Sequence, residues 1–329
     1  MRLNPNNEVM KKKMNPKMKK AMNILFKSLA VLIILIVVFI AVVFIVHKIS
    51  SKSELGKIET YGQLVPVDGK QMNVLVQGEG DETIVLLPGY GTATPALDFK
   101  LLVDELSPFY KVVVIEPFGY GLSDLTEKER TTENIVSEMH EALQSLNIDR
   151  FILMGHSIAG IYGLEYVNKY RDEVSAFVGI DTSVPTQGGM DVDFPIGTFK
   201  LLKNSGFYRL IMKLSASPYD GLPFDDETVK QMTMITNKVN NNSTVLNEME
   251  HISPNFKRAE QLSFPTNLPI LLFVEANNEA RPDWKSLHDE QIKKSELGKV
   301  IPLEGSHYLH HTQSKAITEH FRSFMKEMK

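Results

Sequence analysis

One unbroken apolar run constrains this chain more than any other feature. From Leu29 to Val46 there are 18 consecutive apolar residues, LAVLIILIVVFIAVVFIV. At about 1.5 Å per residue, a helix of that length covers about 27 Å, close to the hydrocarbon thickness of a bilayer. Residues 22–26 extend it toward the N-terminus across Lys27 and Ser28, and Lys27 can snorkel to the interface. A buried core helix rarely runs so far without a polar residue. A cleaved signal has a shorter apolar stretch, about 7–15 residues, ending in small residues. Here the run ends in His47-Lys48-Ile49-Ser50, and with no cysteine in the chain a lipoprotein anchor is excluded too. The sequence therefore predicts an uncleaved, single-pass membrane anchor.

Charge gives the orientation. Arg2, Lys11, Lys12, Lys13, Lys17, Lys19, Lys20 and Lys27 precede the span, with Glu8 as the one acid, whereas only Lys48, Lys52 and Lys57 follow closely. The positive-inside bias puts the N-terminus in the cytoplasm and the large domain outside, with the basic tail against anionic lipid headgroups. The formal net charge of −4 hides this split: the 283 residues after Val46 hold 28 basic and 39 acidic side chains. Such an acidic body is a poor nucleic-acid binder, because phosphate recognition needs a basic surface. The expected organisation is a basic tail over 1–28, a transmembrane helix over 29–46, a polar tether over 47–60 and a globular domain over 61–329. The missing cysteines also exclude disulfides, a thiol nucleophile and cysteine-ligated metal centres.

The body alternates strand and helix patterns. Strands are predicted at 63–67 and 72–77 around the hairpin signal Asp68-Gly69-Lys70, then at 83–87, 111–115, 151–154, 176–180, 270–274 and 300–303. Helices are predicted from Pro95 (Leu97, Leu101, Leu102, Leu106), over 133–146, after Gly155 to Tyr170, near 284–297 and over 314–328. This pattern predicts an α/β fold: a mostly parallel eight-stranded sheet with helices on both faces and an antiparallel N-terminal edge. Residues 184–262 break the alternation, carrying apolar residues at helical spacing (Phe199, Leu202, Phe207, Leu210, Leu214, then Met232 and Ile235), and read as a helical insertion. The polar stretches 240–243 and 253–255 read as loops.

The segment with chemistry is Phe151-Ile-Leu-Met-Gly155-His156-Ser157-Ile158-Ala159-Gly160. A buried strand runs into a small residue, a serine and then a helix. A sharp strand-to-helix turn lifts the serine hydroxyl off the backbone, and the helix N-terminus offers free N–H groups to an oxyanion. Gly155 makes room for the turn, and Ala159 stands where the usual G-x-S-x-G pattern has its second glycine. In this motif the side chain of His156 points away from the serine and packs structurally.

With these residues the chain resembles the α/β-hydrolase superfamily over about residues 57–328. Leu86-Leu87-Pro88-Gly89-Tyr90-Gly91 resembles the family's His-Gly loop, with Pro88 in place of histidine. Residues 117–124, PFGYGLSD, resemble its P-G-x-G-x-S loop, and 184–262 falls where these enzymes insert a lid. Gly305-Ser306-His307 matches the place of the catalytic histidine. The resemblance implies Ser157 as nucleophile, His307 as general base and the backbone N–H groups of Tyr90 and Ile158 as oxyanion hole, with no metal or organic cofactor. The acid is implied in the loop after 270–274, where the usual position falls on Asn278. Glu279, one residue on, is the first choice; Asp181, at the end of the preceding strand, is the rival; Glu275 and Asp283 are further candidates. A metal reading of His307, His310 and His311 lacks an H-E-x-x-H helix, and Glu304 is the one nearby acid.

The expected activity is hydrolysis of a small-molecule ester or amide through an acyl-enzyme. The alternatives are an inactive envelope scaffold with the same fold, a lipid-directed thioesterase or acyltransferase, and an aminopeptidase resembling the prolyl iminopeptidases. The last would use insertion acids such as Asp191, Asp193, Asp225, Asp226 or Glu227 to hold a substrate amine.

Overall fold

A computed structural model describes residues 15–328. The basic residues Arg2, Lys11, Lys12 and Lys13 therefore lie outside the described residues. The described residues begin at Asn15, just ahead of helix α1 (Pro16–Leu55), which is long and apolar enough to cross a membrane. By length and composition, α1 passes equally as a membrane anchor or as a signal sequence. Asn15 caps it, accepting from the Lys17 N–H, and Pro16 occupies the first turn, where no N–H is needed. The segment read as a tether is helical as far as Leu55. Nothing in 47–55 breaks a helix, and the first breaker is Gly56.

The sheet has eight strands: β1 (Gln63–Val67), β2 (Lys70–Gln77), β3 (Thr83–Leu87), β4 (Lys111–Glu116), β5 (Phe151–His156), β6 (Val174–Ile180), β7 (Ile270–Glu275) and β8 (Gly298–Leu303). Their order is β1-β2-β4-β3-β5-β6-β7-β8, with β2 antiparallel to both neighbours and every other pairing parallel. The architecture expected from the alternation is the one found. The helices that follow are α2 (Pro95–Asp98), α3 (Lys100–Leu106), α4 (Thr132–Ser145) and α5 (Ala159–Lys169). Then come α6 (Ile196–Ser205), α7 (Phe207–Leu214), α8 (Asp226–Val239), α9 (Ser243–Ala259), α10 (Trp284–Ile292), α11 (Leu309–Thr312) and α12 (Ser314–Glu327).

Both faces of the sheet are buried, which is why its central strands read as continuous apolar runs. Val85, Leu87, Val113, Leu153 and Leu272 pack with α4, α5 and α9 on one side. Ile84, Leu86, Val112, Met154, Val178 and Phe273 pack with α3 and α12 on the other. Four helices, α6 to α9, lie between β6 and β7, inside the insertion expected at 184–262.

One expected loop is helix: Ser253-Pro254-Asn255 sits within α9. Val245, Leu246, Met249, Ile252 and Phe256 keep one apolar face buried through the proline, which outweighs the lost N–H. Asn255 is buried there because its side chain bonds the Thr132 N–H and the Arg130 carbonyl.

Close approach is required at Gly160, on the first turn of α5, where a Cβ would collide with the Ser183 carbonyl oxygen and the Thr182 side chain. Alanine gains about 1 kcal/mol in helix propensity over glycine. The backbone on the other side cannot yield, so Gly160→Ala is expected to lose a net of about 1–3 kcal/mol. A lower urea midpoint of the full-length protein in detergent checks this.

Candidate active site

The carboxyl ends of β3, β5, β6, β7 and β8 converge on one rim of the sheet, the usual ligand edge of an open parallel sheet. Ser157 follows β5 with φ of 56°, a left-handed conformation that a serine rarely adopts. That strain turns the chain from strand to helix within one residue and raises the hydroxyl above the rim. The turn needs its small neighbours: a Cβ on Gly155 would lie 2.6 Å from the Ala159 Cβ, and one on Gly89 would lie 2.7 Å from the His156 ring.

His307 lies in the loop after β8. Its Nε2 is 2.9 Å from Ser157 Oγ, and its Nδ1 is 2.6 Å from Asp181 Oδ2. Asp181 follows β6, is buried and also has positive φ, 46°. Its Oδ1 accepts from the backbone N–H of Glu275 (2.8 Å) and from Trp284 Nε1–H (2.6 Å). The first-choice acid of the sequence reading is therefore displaced by its rival: the carboxylate on the imidazole belongs to Asp181. Glu279 is exposed in the turn after β7, and among the described residues no hydrogen bond links it to His307. The reason is geometric. β6 and β7 are neighbours, and Asp181 leaves β6 directly beside the rim, whereas the turn at 276–283 carries Glu279 outward. Asp283 pairs with Arg281, and Glu275 contributes its backbone rather than its side chain.

Ile158 follows Ser157 directly, and the Tyr90 loop comes up to the serine at Gly89, where an added Cβ would lie 3.0 Å from Ser157 Cβ; among the described residues neither the Tyr90 nor the Ile158 N–H has an acceptor. The Tyr90 loop is held from below. Tyr120 Oη accepts from Gly91 N–H (3.2 Å) and donates to Glu248 (2.8 Å), and Tyr162 Oη donates to the same carboxylate (2.6 Å). Burial raises the Glu248 carboxyl above its ordinary value. Fully buried Arg130 meets Glu138 through Nη1 at 2.9 and 2.7 Å in the same layer. None of these supports was singled out from sequence; the two tyrosines that meet Glu248 lie 128 and 86 residues from it along the chain. His156 behaves as expected: its Nε2 donates to the His307 carbonyl (3.0 Å), and burial pushes its ring far below the usual imidazole range. Neutral His156 thus ties the strand after which Ser157 turns to the loop that carries His307.

His310 and His311 have an acid that spacing did not reveal. Asp98 of α2 lies 2.7 Å from His310 Nε2 and 2.8 Å from His311 Nε2, all three side chains buried. The ligand atoms lie within 4.8 Å of one another, a spacing that a metal ion tolerates. Two N–H···O bonds already satisfy the carboxylate without one. Asp98 and His311 line a cavity of about 280 Å³ with Gly91, Ser306 and Tyr308 below and Met212 and Tyr219 above. The insertion acids named for amine binding are elsewhere: Asp225 caps α8, Glu227 pairs with Lys230, and Asp191 accepts from Ser253.

A family model described as alpha/beta hydrolase fold matches residues 82–205. The α/β-hydrolase superfamily is supported by this match and by solved structures. The enol-lactonase of Burkholderia xenovorans superposes with a TM-score of 0.61 at 16% identity, over 80% of this chain and all of that one, a likeness of fold. The uncharacterized protein YbdG of Bacillus subtilis is 28% identical over 324 residues, 94% of this chain and 98% of its own. A 2-hydroxy-6-oxo-6-(2'-aminophenyl)hexa-2,4-dienoic acid hydrolase of Metapseudomonas resinovorans is 24% identical over 133 residues. The match spans 45% of that enzyme's length.

Burial alone would raise the Asp98 carboxyl, but His310 and His311 outweigh it and hold it well below the usual carboxylate range. A depressed carboxyl contributes stability that is present above its unfolded value and lost as pH falls toward the folded one. Asp98→Asn is therefore expected to cost about 1–3 kcal/mol at neutral pH, since an amide satisfies only one imidazole N–H. Denaturation midpoints of the two proteins should converge in strong acid.

Proposed function

We propose that this protein is a membrane-anchored serine hydrolase acting on an ester or amide outside the cytoplasmic membrane. The single observation that carries the reading is one imidazole, His307, within hydrogen-bond reach of both Ser157 Oγ and the Asp181 carboxylate. Support also comes from the name of a 24% identical relative, a hydrolase. The anchor half rests on the 18-residue apolar run of α1 and on the lysines that precede it.

Each group has a role that its environment allows. Asp181, held by Trp284 and the Glu275 N–H, accepts a hydrogen bond from His307 Nδ1–H and fixes the tautomer whose Nε2 lone pair faces Ser157. As Ser157 Oγ attacks the carbonyl carbon, its proton passes to Nε2. The N–H groups of Tyr90 and Ile158 stabilise the oxyanion, a contribution of about 3–4 kcal/mol per donor in such sites. The imidazolium returns its proton to the leaving alcohol or amine, and water then releases the acyl group by the same route. Unpaired N–H donors at the helix end and the strained φ of Ser157 favour this reading over an inactive scaffold, which has no need of either. None of the insertion acids lines the cavity beside the site, so nothing favours the aminopeptidase reading.

A fluorophosphonate probe should label the wild type and leave Ser157→Ala unlabelled; a well-folded wild type that stays unlabelled sinks the hydrolase reading. Asp181→Asn should lower kcat on a short ester on the order of ten-thousand-fold, as expected for loss of the orienting charge. Glu279→Gln should leave kcat unchanged, and the reverse pattern would return the acid to the turn after β7.

A further inference from the structure

The helices α6 and α7 are unlike the rest of the insertion. Neither buries a single residue, whereas α8 and α9 bury six and nine. Both pack on α1, and the two buried residues of α1, Val43 and His47, lie where they do so. Gly206, between α6 and α7, approaches α1 so closely that a Cβ there would meet the His47 side chain and the Val43 carbonyl. The contact is therefore at the outer end of the apolar run, not beyond it.

Helix α7, FYRLIMKL, is oriented by three independent contacts. The Phe207 ring lies 6.0 Å from the ring of Phe39, inside the apolar run. Arg209 points the other way along α1, pairing with Glu54 and donating to Ser51 Oγ at 3.0 Å. Met212 faces the cavity beside the site. At 3.6 residues per turn, Ile211 and Leu214 fall within about 40° of Phe207, and Lys213 falls on the side of Arg209. The apolar side of α7 thus faces down α1, and its basic side faces up. Ile211 is 49% exposed and Leu214 79%, and Leu201 of α6 is 67% exposed. Phe39 precedes Val46 by seven residues, or about 10 Å of helix. An amphipathic helix in a bilayer interface buries its apolar face about 5–10 Å deep.

We propose that the face made by Leu201, Phe207, Ile211 and Leu214 is seated in the outer leaflet beside α1, and that the substrate is an ester held in that leaflet by an apolar chain. The inference rests on the anchored-hydrolase reading and deepens it. Helix α7 is then the wall between lipid and cavity: Ile211 and Leu214 touch acyl chains while Met212 lines the space above Ser306 and Tyr308. A lipid ester need move only past this wall to bring its carbonyl to Ser157. Hydrolysis adds water across the acyl C–O bond, leaving the carboxylic acid with the hydroxyl and the alcohol with the hydrogen.

The chain has no cysteine, so single cysteines can carry a fluorophore in the full-length protein reconstituted into phosphatidylcholine–phosphatidylglycerol vesicles. Labels at Ile211→Cys, Leu214→Cys and Phe39→Cys should be quenched by doxyl-labelled lipid, and a label at Asp149→Cys, at the opposite edge of the sheet, should not. Quenching at Phe39 without quenching at 211 and 214 overturns the seating and leaves the anchor standing. No quenching at Phe39 removes the anchor and this inference with it. The double variant Ile211→Ser, Leu214→Ser should keep its rate on soluble p-nitrophenyl acetate, which also reports an intact fold. It should lose on the order of tenfold on a diacylglycerol carried in the same vesicles, the scale expected for two apolar side chains. Equal effects on both esters, or a wild type that cleaves only the soluble one, overturn the lipid substrate. A wild type that cleaves neither sinks the hydrolase reading itself, whatever the quenching result.

Discussion

A buried carboxylate organises this rim. Asp181 is closed off from solvent and accepts three N–H bonds, from His307, Trp284 and the Glu275 backbone. An ionised group in that position is tolerable only with its acceptor sites filled, because desolvation of an unpaired charge costs several kcal/mol. Each partner comes from a different element: the loop after β8, the start of α10 and the end of β7. Satisfying one charge thereby fixes the ends of three adjacent strands, and the position of His307 follows from that arrangement. The left-handed φ values at Asp181 and Ser157 are held by the same close packing.

A second layer works in the same way beneath the Tyr90 loop. Glu248 is buried and receives two tyrosine hydroxyls, one of which, Tyr120, holds the Gly91 N–H. Glu116, at the end of β4, receives Tyr61, Asn73 and the N–H groups of Ala96 and Leu122. Burial lifts both carboxyls above their ordinary values. The loops that frame the serine are therefore stiffened by satisfied polar groups rather than by apolar packing alone.

Much of this was legible from residues. The alternation of short β-branched runs with amphipathic helices gave the sheet, and the strand–Gly155-His156-Ser157–helix pattern gave the turn. These signals are local, so spacing carries them. Which carboxylate bonds His307 was not legible, because the choice between Glu279 and Asp181 depends on where neighbouring strands release the chain. Both carboxylates stand a few residues past a strand, and only the course of the turn at 276–283 separates them. The pairing of Asp98 with His310 and His311 was hidden for the same reason, spanning more than 200 residues. Pro254 misled in the other direction: a local breaker was overruled by a buried apolar face that continues on both sides of it.

Helix α1 runs without interruption from Pro16 to Leu55, and Arg209 clamps its far end to the globular body. With α1 in a bilayer, the body has no leash. Only about nine residues of helix, about 14 Å, separate the end of the apolar run from the first break. Such a protein cannot sweep a volume around its attachment point. It meets its targets by drifting laterally, at a fixed height, and its encounter rate scales with what is dissolved in the surrounding two-dimensional sheet rather than with what is free in the fluid above it.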